Sequence, residues 1–519
     1  LLFSSAIFIF LFLPASLIGY QIVSRFSRSA TLAWLTITSF FFYGYWNSSY
    51  LVLLTASIVM NYLFARMLGE GKPEASQSRW LVIAILANLG LLAYYKYLFP
   101  FLNFFHDHGV TNHAFANVVL PLGISFFTFT QIAYLIDLRQ QIAKRQGLLP
   151  YSVFVTFFPH LIAGPIIHPR ELMPQLDEDR IRGLDAGDLA LGLSWFVMGL
   201  AKKVLIADRI APLSDVVFHN PGSAGIVTAW LGALAYSMQL YFDFSGYSDM
   251  ALGLARMFSI EFPFNFNSPY KSQGIIEFWQ RWHMTLSRYL NEYLYTPILR
   301  WTNGRRISAG KKVSRKASAT LEGFTSMVFF PVIMTMFLAG IWHGAGMQFV
   351  MFGVLQGLYL TVNHAWRIFT PQGHRFHRKV PAPFMIALTF VAFLISLVFF
   401  RSANVHEAVY LLQTMCGIHG RGPAFDAFPY MKYIPPTSRF LSHLSTAALS
   451  LLICFFIIWA LPNTQEILGQ LPKDEVLKPS ILPNLRWRPT ATWSLGLTLL
   501  LCCAILLLDA STSFLYFQF

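Results

Sequence analysis

"GFTSMVFFPVIMTMFLAGIWHGAGMQFVMFGVLQGLYLTV", residues 323–362, runs for forty positions without an Asp, Glu, Lys or Arg. Crossing a bilayer takes about 20 mostly apolar residues. The stretch therefore holds nearly all of two candidate spans, 320–342 and 345–366, which meet at "HGAG", 343–346. Its one acid–base side chain is His343, flanked by Trp342 and Gly344. An ionisable group at membrane depth costs several kcal/mol even on gentle insertion scales, so it marks a functional site until shown otherwise. Imidazole is also the side chain best suited to take and return a proton near neutral pH. The plainer reading is a histidine at a helix turn, bonded to a carbonyl or solvated at the interface.

The rest of the chain is of the same kind. Its 519 residues are 55% hydrophobic and only 12% charged, about half the charged share of a soluble domain, and the mean hydropathy is +0.52. Further apolar runs lie near 2–22, 31–46, 50–68, 80–100, 116–136, 188–206, 224–252, 382–402, 440–461 and 490–510. The expected class is an all-α polytopic membrane protein, with 1–519 as one membrane-embedded domain. The first run has no basic flank and reads as a retained span rather than a signal peptide. The net charge of +14 sits between the runs. Arg300, Arg305, Arg306, Lys311, Lys312, Arg315 and Lys316 form one block, and Arg367, Arg375, Arg378 and Lys379 another. The positive-inside rule places both in the cytoplasm, with Arg25/Arg28 and Arg139/Lys144/Arg145, and so puts the N-terminus outside. Topology accounts for this charge better than nucleic acid does, because no basic–aromatic interleaving accompanies it. A basic cytoplasmic face also suits an anionic substrate. Of four cysteines, Cys454, Cys502 and Cys503 fall within runs, and no CxxC pair exists.

Two segments fit poorly as spans. "FFPHLIAGPIIHPREL", 157–172, packs three prolines, a glycine and two histidines into 16 residues. Irregular backbone is tolerated at membrane depth only inside protein or along water, so a re-entrant or interfacial segment is expected. The other is 261–300. On a helix over 276–295, Glu277, Arg281, Arg288 and Glu292 share one stripe, while Phe278, Trp282, Leu286, Tyr289, Leu290 and Tyr293 form the opposite face. That is an interfacial amphipathic helix, with His283 at its border.

Further polar residues sit where they are costly. "QLYFDFSGYSDMALGLARMF", 239–258, carries Asp243 and Asp249; pairing with Arg256, Arg281 or Lys271 competes with chemistry as their role. Asn265 and Asn267 precede a Pro turn, where asparagine commonly satisfies turn backbone, with substrate contact as the sharper reading. HExxH, a zinc-spaced Cys/His cluster, a P-loop and GxSxG are all missing from the sequence. Axial haem ligation by His283 and His343 has no supporting second motif.

Six motifs occur in order: "FFPHLIAGPIIHP", "GLAKKVLIAD" (199–208), "QLYFDFSGYSDMALGLA" (239–255), "FNFNSPYKS", "EFWQRWHMTLSRYLNEYLY" (277–295) and "IWHGAG". Together they resemble the membrane-bound O-acyltransferase family, in its bacterial alginate O-acetylation branch, over essentially the whole chain. The resemblance implies a bundle of about 11–12 transmembrane helices with re-entrant and interfacial helices. It implies a funnel and a tunnel meeting near the catalytic histidine, His343, with His283 as the second site residue. Thr285 stands where the common pattern has Ser, and the hydroxyl is kept. Asn267, Asp243, Asp249, Arg281 and Trp342 are the candidate substrate contacts, and no metal is implied. The implied reaction moves acetyl from acetyl-CoA, a substrate rather than a bound cofactor, to exopolysaccharide on the periplasmic side of a bacterial inner membrane. Periplasmic acetyltransferase- or esterase-like partners would complete it, with lipid around the chain. Asn267, a backbone N–H near Gly344 and His283 are the candidate oxyanion donors. Acylation of another acceptor, such as D-alanylation of teichoic acid, and a transporter in which His343 relays protons remain the alternatives.

Overall fold

The computed structural model describes the chain except residues 70, 108, 111–112, 114, 116–118, 178–180, 182, 371–379, 420–435, 471–480, 483–484, 509–513 and 516–519. Among the described residues every regular element is helical, as the composition predicts. Among the described residues each of the twelve apolar runs contains a helix: Phe8–Phe12 continuing into Leu13–Val23, Arg28–Gly44, Ser49–Met67, Glu74–Ala93, Ile124–Arg139, Ala186–Ala201, Ile226–Met257, Phe330–His343, Met347–Phe369, Ala382–Arg401, Pro436–Ala460 and Ala491–Leu506. Five continuous helical stretches are long and apolar enough to cross a membrane: Ser49–Met67, Glu74–His106, Ala186–His219, Leu321–His343 and Ala382–Arg401. Phe8–Val23, Thr446–Ala460 and Ala491–Leu506 are shorter apolar helices. Arg375, Arg378 and Lys379 of the second basic block lie outside the described residues.

The chain gathers into two interleaved units. One comprises Leu1–Val204, Phe244–Phe264 and Arg488–Gln518; the other comprises Leu205–Asp243 and Asn265–Trp487. In the first, helices Ala186–Ala201 and Ile226–Met257 meet backbone to backbone. A Cβ on Gly192 would lie 2.6 Å from the Gly253 carbonyl, and one on Gly199 would lie 2.5 Å from the Gly246 carbonyl. Both pairs are seven residues apart and in opposite order, the signature of an antiparallel crossing set by small residues. Beside it Lys202 Nζ donates to Asp249 Oδ2 at 2.6 Å. Asp249 therefore pairs with Lys202, a partner absent from the three expected. Arg256 instead meets Asp188 at 2.7 Å and also Glu261.

The segment 157–172 is broken as its prolines require. Phe158–Leu161 is one short helix and Pro169–Asp177 a second; the irregular backbone between them is buried in protein throughout. Burial lowers the His160 imidazole to about 4, so it is neutral at physiological pH.

A separate polar network joins four helices of this unit. Asn61 Nδ2 donates to Asn88 Oδ1 at 3.0 Å and Asn88 Nδ2 returns a bond to Asn61 Oδ1 at 2.6 Å. Gln131 Nε2 donates to Ser57 Oγ, and Tyr151 Oη donates to Gln131 Oε1. Both asparagines are fully buried. Removing one partner strands the other amide without water, so Asn61→Leu is expected to cost about 1–2 kcal/mol. Unfolding in detergent should show Asn61→Leu/Asn88→Leu recovering part of that loss; additive losses would mean the two amides act independently.

Candidate active site

The second unit contains both histidines singled out by sequence. The expected continuous helix over 276–295 is not formed. Ile275–Trp279 ends, residues 280–283 turn, and Met284–Leu290 begins anew, followed by a wide π-type turn over Asn291–Tyr295. No Gly or Pro causes the break. The cause is tertiary: Asn267 N donates to the Arg281 carbonyl at 2.9 Å, and Met284 N to the Asn265 carbonyl at 2.8 Å. These bonds pull 280–284 alongside 265–267 and leave His283 at φ 43°, ψ 53°. A left-handed non-glycine residue costs about 1 kcal/mol or more and persists only where its surroundings over-determine it. Arg281 keeps the expected Glu277 partner at 3.0 Å, and also donates to the Asn267 carbonyl.

Asn265 is what determines His283. Its side-chain oxygen accepts from Thr285 Oγ1 at 3.0 Å and from the Thr285 backbone N–H at 3.4 Å. A backbone N–H can only donate, so the Asn265 atom is the oxygen. His283 Nδ1, 2.9 Å from that oxygen, therefore carries the proton, and the lone pair is on Nε2. In this tautomer Nε2 accepts, which removes His283 from the oxyanion donors considered above. Burial lowers the imidazole from 6.5 to about 3. Above pH 6.5 the folded and unfolded rings are both neutral and nothing is lost. Below it the unfolded chain takes up a proton that the folded ring refuses, so stability falls by about 1.4 kcal/mol per pH unit toward pH 3. Unfolding temperatures in detergent between pH 7.5 and 5 should drop more steeply for wild type than for His283→Gln; parallel curves would exclude His283 as the cause.

The loop holding Asn265 is itself clamped by residues that sequence reading passed over. Asn463 Nδ2 donates to Asn267 Oδ1 and Ser268 Oγ, both at 3.0 Å, and Gln465 Nε2 donates to the Phe266 carbonyl. Asn463 and Glu466 form a capping box on the short Thr464–Ile467 helix. The N-x-x-E spacing was a readable signal. Asn267 thus has a scaffold partner on its side-chain oxygen and on its backbone N–H.

His343 closes the Phe330–His343 helix, half-buried, with Gly344 extended after it. Gly344 N–H donates back to the Ile341 carbonyl at 3.2 Å. The chain then re-enters as Met347–Phe369, and the two helices touch through glycine: a Cβ on Gly353 would stand 2.3 Å from the Met336 carbonyl, and one on Gly340 2.5 Å from the Phe349 carbonyl. The His343 ring is walled by Trp342, by Phe352 at 5.9 Å and by Phe400 at 5.1 Å, the last two edge-on.

One helix ties the histidines together. In Ala382–Arg401, Phe393 packs on Trp282, the neighbour of His283, at 5.2 Å, and Phe400 packs on His343. Seven residues are two turns, so both rings leave one helix face about 10 Å apart. A cavity of about 270 Å³ is lined by Trp279, Ser287, Leu290, Tyr295, Met336 and His364, among others. Trp279 Nε1 donates to Gln356 Oε1 at 3.0 Å, and Gln356 Nε2 to Ser396 Oγ at 2.6 Å, which fixes the indole at the cavity wall. The aspartates are not brought to this place as a pair. Asp243 belongs to the second unit and Asp249 to the first, and six residues of helix set them about 120° apart around the axis.

The model of the MBOAT, membrane-bound O-acyltransferase, family matches residues 31–310. A peptidoglycan O-acetyltransferase of Helicobacter pylori is 38% identical over 81% of this chain and 80% of its own length. The "probable alginate O-acetylase AlgI" of Pseudomonas aeruginosa is 36% identical over 80% of this chain and 75% of its own. A teichoic acid D-alanyltransferase of Bacillus subtilis is 27% identical over 54% of this chain and 66% of its own length.

Proposed function

Because the chain belongs to the membrane-bound O-acyltransferase family and is a multi-pass O-acyltransferase, we propose that it carries acetyl from cytoplasmic acetyl-CoA to polysaccharide hydroxyls across a bacterial inner membrane. The observation that carries this reading is His343, an imidazole at a helix end walled by aromatic rings. Its ring takes the proton of the acceptor hydroxyl as that oxygen attacks the thioester carbon. Collapse of the tetrahedral intermediate breaks the carbon–sulfur bond, and the imidazolium returns its proton to the leaving thiolate. The cavity of about 270 Å³ beside Trp279 and Met336 suits the thioester arm. The relatives named for peptidoglycan and alginate acetylation, 38% and 36% identical, support a polysaccharide acceptor, exopolysaccharide or cell wall. Periplasmic acetyltransferase- or esterase-like partners complete delivery. D-alanyl transfer is the second reading and rests on a relative matched over 54% of the chain.

The test is reconstitution in liposomes with labelled acetyl-CoA on one face and, on the other, the periplasmic partner proteins with either alginate or peptidoglycan fragments. Labelled ester on one of these glycans is the expected result; passage of label without any ester would point to a transporter instead. Asn265 acts here as a positioning residue. Asn265→Ala is expected to slow acyl transfer about tenfold to a hundredfold, whereas Asn265→Asp, which keeps an accepting oxygen for Thr285 and His283, retains most activity. Equal losses in the two variants would refute the tautomer argument.

A further inference from the structure

From Tyr293 to Leu321 the chain has no acidic residue and seven basic ones. Two of the seven are compensated. Arg306 is buried, donating to Ser326 Oγ at 2.8 Å and lying 3.6 Å from Glu322, and Lys311 pairs with the same Glu322. The other five, Arg300, Arg305, Lys312, Arg315 and Lys316, are exposed. On the Thr296–Ser308 helix Arg300, Trp301, Gly304, Arg305 and Ser308 fall on one side, at the i, i+4 and i+8 spacing of a single face, while Thr302 and Arg306 face inward. Trp301 is 52% exposed, and the Arg305 guanidinium lies 4.5 Å over its ring. Leu321, 79% exposed, begins the Leu321–His343 stretch that is long and apolar enough to cross a membrane.

Arg306 and Lys311 both reach Glu322, so the Thr296–Ser308 helix and the loop after it are tied to the start of that apolar stretch, and the cations share their surface with an indole and with exposed Ile307 and Val313. Tryptophan settles at the headgroup level of a bilayer. Lysine and arginine clusters beside a span attract anionic headgroups, with an effect that fades within a Debye length. A soluble acidic partner would match the charge but would leave unexplained why the apolar side chains lie at the same level as the start of a span. We infer that Arg300, Trp301, Arg305, Lys312, Arg315 and Lys316 form a docking surface for the headgroups of anionic phospholipid. This inference stands apart from the identity of the acyl donor and acceptor.

The test uses the full chain in nanodiscs of phosphatidylcholine containing a fixed fraction of brominated lipid, either phosphatidylglycerol or phosphatidylcholine. Trp301 quenching is the difference between each protein and its Trp301→Phe counterpart. Brominated phosphatidylglycerol should quench Trp301 at least about threefold more than brominated phosphatidylcholine, and high salt should reduce that preference. R300Q/R305Q/K312Q/R315Q/K316Q should abolish the preference. R300K/R305K/K312R/R315K/K316R, which keeps every charge, should preserve it and guards against misfolding as the explanation. Equal quenching by the two lipids in wild type overturns the inference. So does a neutralised variant that keeps its lipid preference while its KM for acetyl-CoA rises, or while it loses binding to an acidic carrier protein.

Discussion

His343→Ala is expected to reach the membrane at the wild-type level and to transfer acyl groups at least about a thousandfold more slowly. The two halves of that result come from different features. The imidazole sits at the last residue of its helix and is half-buried, so losing it removes edge contacts with Phe352 and Phe400 worth about 1 kcal/mol each and leaves the helix itself intact. The chemistry, by contrast, loses the one acid–base side chain of residues 323–362, which hold no Asp, Glu, Lys or Arg. His343→Gln fills similar volume and separates packing from proton transfer. Ester formation by correctly inserted His343→Ala at the wild-type rate would end the general-base assignment.

Gly353→Val is expected to cost more than 3 kcal/mol, enough to remove most folded protein from detergent extracts. The added Cβ would stand 2.3 Å from the Met336 carbonyl and 2.9 Å from the Gly340 Cα. Both obstacles are backbone, so no side chain can rotate out of the way and the two helices must part. Any survivor would carry a displaced His343 and a reshaped cavity, and its turnover should fall with its stability. Gly90→Ala is the control: no heavy atom lies within 4 Å of the Cβ it would add, and alanine favours helix. Yield and unfolding temperature measure both. A well-folded Gly353→Val protein would mean that the hairpin tolerates a wider spacing than its glycines indicate.

What the sequence made legible was set by range. Apolar run length is local, and every one of the twelve runs contains a helix among the described residues. The prolines of 157–172 likewise announce their own break. The break at His283 was invisible, because the residues from Trp279 to Met284 include no Gly or Pro and the force that bends them comes from Asn265 and Asn267, twelve or more positions away. For the same reason reading favoured Asn267, whereas Asn265 holds His283. Asp249 was recognised as costly, but its partner Lys202 lies 47 residues upstream, and charge in a sequence does not say which cation will answer it. The paired glycines 192/199 and 246/253 were readable as a matched spacing, and the capping box at Asn463 as a motif.

The Asn61–Asn88 pair bears on how the chain is made. Each asparagine lies on its own helix, Ser49–Met67 or Glu74–Ala93, and each satisfies part of its amide on the other. A helix released into lipid alone would expose that group to hydrocarbon, at a cost of a few kcal/mol. Residues 68–73 are all that separates the two helices, so the second is synthesised within seconds of the first. The bonded amides therefore favour a biogenesis in which the first helix waits at the translocation channel for the second, and the two leave it together as a hairpin.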